Sequence, residues 1–225
     1  VLILALDTAT ATVAVALHDG RQVVAESGSP EGRRHGELLA PQIAAVLERG
    51  GHVPADLGLV VVGVGPGPFT GLRVGLVTAL TLGSALGVPV HGVCSLDALA
   101  READFSAGPV LVATDARRRE IYWAVYSGPS QRIGEAEVGR PADVLRRVTD
   151  LPLPGLVATG PGATLYAEVL SAQVPVREGK PLSAGALARV AVERAARGEP
   201  PLPPSPLYLR RPDAVPATTH KTVLA

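Results

Sequence analysis

The chain has 225 residues, of which 47% are hydrophobic, 19% charged and 3% aromatic, with a formal net charge of zero. That length suits one large domain or two small lobes around a sizeable core. Zero net charge argues against a free-standing nucleic-acid binder, and the scarcity of aromatic residues against a base-stacking platform.

Val1–Leu6 is an apolar strand ending at Asp7. Thr12–Leu17 alternates, His18-Asp19-Gly20 turns and Arg21–Glu26 returns, which reads as an antiparallel meander. Ser27–Arg34 reads as loop. A helix is predicted over His35–Glu48, with Leu39, Ile43, Val46 and Leu47 on one face and Pro41 set to kink it. Leu59–Val64 is a short, β-branched buried strand, and Leu72–Leu86 has helical character. Val88–Val93 is a strand and Leu96–Glu102 a short helix. The layout then restarts. Pro109–Thr114 ends at Asp115, and Ile121–Tyr126 begins six residues after Asp115, as Val13 begins six after Asp7. Helices follow at Ala142–Val148, Ala163–Leu170 and Ser183–Arg197, with a strand at Leu156–Thr159. The repeat implies two lobes of βββαβα design: residues 1–108, then 109–210 closing with the rigid Pro200–Pro206 stretch. Residues 211–225 read as a flexible tail.

The densest punctuation is Gly63–Gly75, which contains Gly65-Pro66-Gly67-Pro68-Phe69-Thr70-Gly71 between the Leu59 strand and the Leu72 helix. A strand, a stiff glycine-rich loop and a helix N-terminus suit an anion. Neither familiar phosphate loop is present, however. A Walker A loop needs a lysine, and the chain's only lysines are Lys180 and Lys221. The glycines here are spaced Gly-x-Gly-x-x-x-Gly, one residue too long for a dinucleotide fingerprint. A tight structural turn and a ligand loop both remain open readings.

Asp7 and Asp115 end equivalent first strands. Carboxylates so placed can face each other across a cleft and hold a hydrated Mg²⁺ on a nucleotide. The hairpins that follow them lack the glycine that close phosphate approach needs. Arg117-Arg118-Arg119 is either a solvated turn or a phosphate contact. The five histidines form no His-x-x-x-His pair, so no metal site is expected. Cys94, the single cysteine, lacks the context of a nucleophile, leaves no intramolecular disulfide and fits a reducing cytoplasm. No signal peptide or membrane span is expected: Val74–Leu96 carries no charge, but Gly87 and Pro89 divide it into a helix and a strand. The Leu72 helix is apolar nearly all round, with Gly75, Ala79 and Gly83 recurring every fourth residue. That stripe reads either as packing on the chain's own sheet and first helix or as a subunit interface; with no catalytic group evident, the interface is the favoured reading.

These residues resemble the TsaB (YeaZ) family, a subunit of the bacterial machinery for threonylcarbamoyladenosine in tRNA. The resemblance rests on Ile3-Leu4-Ala5-Leu6-Asp7-Thr8-Ala9-Thr10, His35-x-x-x-Leu39-x-Pro41, Gly65–Gly75, Asp115-Ala116-Arg117, Glu120-Ile121-Tyr122-Trp123-Ala124-x-Tyr126 and Pro206-Leu207-Tyr208-Leu209-Arg210. One departure is Pro68, where the family usually has serine. The resemblance implies an α/β, two-lobed actin-like (ASKHA), ribonuclease-H-like fold. It implies a non-catalytic cytoplasmic subunit pairing with TsaD, the paralogue that threonylcarbamoylates adenosine 37 in tRNAs reading ANN codons. TsaE, an ATPase, would join the assembly, tRNA would be met only through the complex, and the chain alone would form a homodimer. Pairing would use the first-lobe helices, with His35, Leu39, Ile43, Gly75, Ala79 and Gly83 at the contact. No cofactor is intrinsic, though ATP or ADP can sit near the junction, with Asp7, Asp115 and Arg117 as its candidate contacts. The alternatives are an actin-like ATPase or kinase and a glycoprotease-like peptidase acting on its partner.

Overall fold

The computed structural model describes residues 1–29 and 34–210; the tail expected over 211–225 lies outside the described residues. The chain forms five layers. The first sheet has the order β3-β2-β1-β4-β5, built from Leu2–Asp7 (β1), Val13–His18 (β2), Val23–Ser29 (β3), Leu57–Gly63 (β4) and Val90–Val93 (β5). β1 pairs antiparallel with β2 and parallel with β4. The second sheet, β8-β7-β6-β9, repeats that order with Val110–Asp115 (β6), Ile121–Gly128 (β7), Gln131–Gly139 (β8) and Val157–Thr159 (β9). β6 likewise pairs antiparallel with β7 and parallel with β9. The expected duplication is therefore present for four strands, β1–β4 matching β6–β9, while β5 has no counterpart in the second sheet.

Alternation along the central strands sets the layers. Leu4 and Leu6 point to a core shared with His35–Gly50 (α1) and Phe69–Leu86 (α2). Ile3 and Ala5 point the other way, to a core shared with Ser95–Arg101 (α3), Ala184–Ala196 (α7), Val110 and Val112. Leu111 and Ala113 face Pro141–Thr149 (α4), Pro161–Leu165 (α5) and Ala167–Leu170 (α6). The middle core belongs to both sheets at once.

This arrangement corrects the lobe boundary. Residues 183–210 were expected within the second lobe, but α7 packs on β1, β2 and β4 of the first sheet. Gly92 N–H donates to the Leu202 carbonyl and Leu207 N–H to that of Val64. The chain's last described stretch is thus shared between the lobes. Side chains fasten the junction. The Asp97 carboxylate of α3 accepts from Tyr126 Oη at 2.7 Å and Arg132 Nη1 at 3.3 Å on the second sheet. Arg101 pairs with Glu193 of α7 at 2.8 Å, and Glu102 with Arg189 at 3.4 Å. Burial pushes the Asp97 carboxyl up despite its arginine partner, and pushes the Tyr126 phenol up as well.

α1 ends at Gly51, whose left-handed φ of 70° lets the next amide, His52 N–H, reach the Leu47 carbonyl. The α1 helix runs unbroken through Pro41, which lies on its exposed side. α2 begins at Phe69, three residues before the expected start. It is long and apolar enough to cross a membrane by composition alone; here it lies on the first sheet.

Candidate functional site

The glycine-rich loop is filled by its own chain. Gly67 lies so close to the β1–β2 hairpin that a Cβ there would sit 2.2 Å from the Ala9 carbonyl oxygen. Glycine is required because the hairpin, rather than a phosphate, occupies the space above the loop. Thr8 completes the closure. Its buried hydroxyl donates to the Gly71 carbonyl at 2.7 Å and accepts from Gly75 N–H at 2.9 Å. It therefore bridges an i, i+4 pair of the α2 ladder itself. Thr8→Val keeps the volume and removes both bonds. It should lower stability by about 1–3 kcal/mol, because buried backbone groups lose a partner, and urea unfolding midpoints measure the loss.

Asp7 was expected at a nucleotide; the structure corrects this. It is fully buried, accepting from Ala9 N–H at 2.7 Å and Ser95 Oγ at 2.6 Å. Burial pushes its carboxyl up to about 6, partly offset by those two hydrogen bonds and the charge of His35. It joins β1 to the start of α3 and does not line the cleft.

A cleft of about 500 Å³ does open between the lobes, lined by Thr10, His35, Thr70, Thr114, Asp115 and Arg117 among others. Asp115 and Arg117 both line this cleft, where they pair with each other: Asp115 Oδ1 accepts Arg117 N–H at 2.8 Å, and Oδ2 pairs with its guanidinium at 3.2 Å. His35 Nε2 lies 3.0 Å from the Thr10 carbonyl oxygen, tying α1 to the hairpin. The arrangement offers a guanidinium and hydroxyls that could hold a phosphate group, and a single carboxylate that is already paired.

The expected interface residues face inward. Leu39, Ile43 and Ala79 are buried in the chain's own core. A Cβ on Gly75 would lie 2.5 Å from Thr8 Oγ1, and one on Gly83 2.3 Å from Val90 Cγ2. The stripe of small residues exists because the sheet approaches α2 closely, so no partner helix can reach Gly75, Ala79 or Gly83. His35 alone of that set is partly exposed. The outward face carries Phe69, Val77 and Leu80, exposed to 48%, 62% and 44%. Tyr208 stacks on Phe69 with centroids 5.6 Å apart. Arg73 lies over the Phe69 ring at 3.7 Å and donates from Nε to Tyr208 Oη at 3.1 Å. Sequence reasoning missed this face, although Val77 and Leu80 are apolar residues opposite the glycine stripe.

Cys94 is buried, and burial pushes its thiol up to about 12, the reverse of an activated nucleophile. Among the described residues no three histidine, cysteine, aspartate or glutamate side chains gather at metal-binding distance.

Comparison with known proteins agrees with this geometry. A family model described as TsaD, tRNA N6-adenosine threonylcarbamoyltransferase, matches residues 27–176. An uncharacterised Mycobacterium tuberculosis protein is 44% identical over 217 residues, covering 95% of this chain and 94% of that one. The TsaB protein of Escherichia coli, named for tRNA threonylcarbamoyladenosine biosynthesis, is 36% identical over 138 residues, 60% of this chain and 59% of its own. YeaZ from Pseudomonas aeruginosa superposes with a TM-score of 0.76 at 29% identity, covering 92% of this chain and 99% of that one. A Thermus thermophilus ROK hexokinase, at 16% identity and a TM-score of 0.51, shares the fold alone. Fold and site together define a two-lobed α/β protein with the actin-like fold, in which the β1–β2 hairpin packs directly against the glycine-rich loop. Within that class the chain belongs to the TsaB (YeaZ) family, whose named members serve tRNA threonylcarbamoyladenosine biosynthesis.

Proposed function

We propose that the chain is a non-catalytic subunit that pairs with a TsaD-like transferase and activates it for threonylcarbamoylation of adenosine 37 in tRNAs reading ANN codons. The observation that carries this reading is the closed hairpin. Thr8 and Ala9 fill the space above the glycine-rich loop, and Asp7 is sealed beneath it. An actin-like ATPase or kinase needs that space for phosphates and an accessible carboxylate for their Mg²⁺. The buried, high-pKa Cys94 gives no support to a peptidase.

Pairing uses the outer face of α2. Phe69, Val77 and Leu80 present apolar surface beside Arg73 and Tyr208, an aromatic and arginine composition typical of interface centres. The same face serves a homodimer when the chain is alone, and a TsaE-like ATPase joins the assembled pair in the cytoplasm. A nucleotide, ATP or ADP, belongs at the junction of the complex, where Arg117 with Thr10 and Thr70 would hold a phosphate. The test is reconstitution. Transferase, tRNA and threonylcarbamoyl donor should give modified tRNA only when this chain is added, while the chain alone releases no phosphate from Mg-ATP. Phosphate release abolished by Asp115→Ala would return the ATPase reading.

A further inference from the structure

A second cavity, of about 270 Å³, shares no lining residue with the interlobe cleft. It lies where the C-terminal end of α3 meets the β9 edge of the second sheet. Alternation builds its floor. Val157 and Thr159 point to the same side of β9, and Val110 stands beside Val157 on β6. Leu99 of α3 and Ala103 just beyond it complete the apolar wall. Residues 177–180 cross the other side as a strap. Arg177 N–H donates to the Ala158 carbonyl at 2.9 Å and fixes the strap to β9. Gly179 comes so close that a Cβ there would lie 2.6 Å from Gly160 N and 2.8 Å from Thr159 Oγ1. Thr159 is 9% exposed, and its hydroxyl has no hydrogen-bond partner among the described residues.

The mouth carries charge of both signs. Asp104 pairs with Arg177 at 2.6 Å, and Glu102 with Lys180 at 3.5 Å and Arg189 at 3.4 Å. With exposed Glu178, three acids meet three bases among the described residues, so the rim has no net charge. Asp104 is well satisfied, because it also accepts from Ser106 N–H and Oγ at 2.9 and 2.8 Å. Glu102 is mostly buried and has only the two long contacts, so its carboxylate keeps acceptor capacity. Arg177 and Lys180 are largely exposed, and ion pairs so wet are weak and exchange readily. A ligand of one sign would displace one member of a pair and leave the other facing it. A ligand with both signs replaces both halves. Acid and base stand within 3.5 Å of each other, so the ligand's two charges must also be neighbours. The volume lies just under the ~300–1,000 Å³ of drug-sized sites, which suits a smaller molecule.

We propose that this cavity binds a free α-amino acid with an aliphatic side chain. Its ammonium donates to Glu102, its carboxylate accepts from Arg177, Lys180 and the Thr159 hydroxyl, and its side chain rests on Leu99, Val110 and Val157. The site shares no residue with the outer face of α2, so it stands independently of the transferase pairing.

The test is amide NMR of the full chain titrated with four small molecules. L-valine should shift the Thr159, Gly160, Gly179 and Lys180 amides saturably. Isovalerate lacks the ammonium and isobutylamine the carboxylate; each forfeits a charge-assisted contact and should bind at least about tenfold more weakly. 5-Aminovalerate has the atoms of valine with its charges at opposite ends, and should be weakened as much. Glu102→Gln should weaken valine binding about tenfold, and Ala103→Leu, which fills the cavity without touching a charge, should abolish it. Absence of saturable shifts with valine up to about 10 mM, where even a weak site of a few kcal/mol is occupied, would overturn the proposal. Equal binding of isovalerate would make this a plain anion site and also overturn it, as would equal binding of isobutylamine or 5-aminovalerate. So would valine binding undiminished in folded Ala103→Leu, which decides the matter if Glu102→Gln does not fold.

Discussion

Ala79→Glu should unfold the chain or cost it about 4–5 kcal/mol, whereas Val77→Glu, two residues along the same helix, should change stability by about 0.5 kcal/mol or less. Ala79 has no exposed surface and sits in the core that α2 shares with the first sheet. A carboxylate there has neither room nor partner, so it must displace its neighbours or take up a proton. Val77 is 62% exposed and points away from that core. Unfolding in urea, followed by circular dichroism, separates the two. A stable, folded Ala79→Glu variant would mean that α2 is turned about its axis relative to this structure.

Asp7→Asn should stabilise the chain at neutral pH by up to about 3 kcal/mol. The Asp7 carboxyl titrates at about 6 in the fold against an ordinary 3.8, a difference of roughly two pKa units at 1.36 kcal/mol each. The native state therefore holds this proton more tightly than the unfolded chain. The stability it confers is fully present below about pH 4 and is lost as pH rises through 6. Asparagine carries no charge to desolvate. Its carbonyl can accept Ala9 N–H and its amide can donate to Ser95 Oγ, so both existing contacts are served. The variant's advantage should appear above pH 6 and fade toward pH 4. An Asp7→Asn variant less stable than wild type at pH 8 would show that the two hydrogen bonds to the carboxylate outweigh its burial. Loss of transferase activation in a more stable variant would give Asp7 a role in the complex.

Much of the fold was legible because the duplicated spacing is local. Asp7 and Asp115 close equivalent strands, and the same six-residue step follows each. β8 was harder to read: it is a largely exposed edge strand, contains Gly134 at φ 74°, and slips register against β7 twice. Its polar residues carry no strong period. α7 was recognisable as a helix, but periodicity names a buried face without naming the sheet that buries it. The same limit reversed the reading of α2. A stripe of small residues says that something comes close, and Gly75, Ala79 and Gly83 do not distinguish a sheet from a partner helix. The Thr8 bridge spans 67 residues of sequence to Gly75, a distance at which pattern in the chain gives no signal.

The face that remains exposed on α2 carries the central claim, that this chain acts through a partner. Val77→Glu with Leu80→Glu places two charges on it and leaves the core untouched. The direct measurement is threonylcarbamoyladenosine formed in a reconstituted reaction with the transferase subunit, with pairing followed by analytical ultracentrifugation. The double variant should remain folded, fail to pair and fail to raise product above the transferase alone, because unpaired charges in a desolvated contact cost several kcal/mol. A folded variant that pairs and activates as wild type does would contradict the claim that this face carries the protein's function.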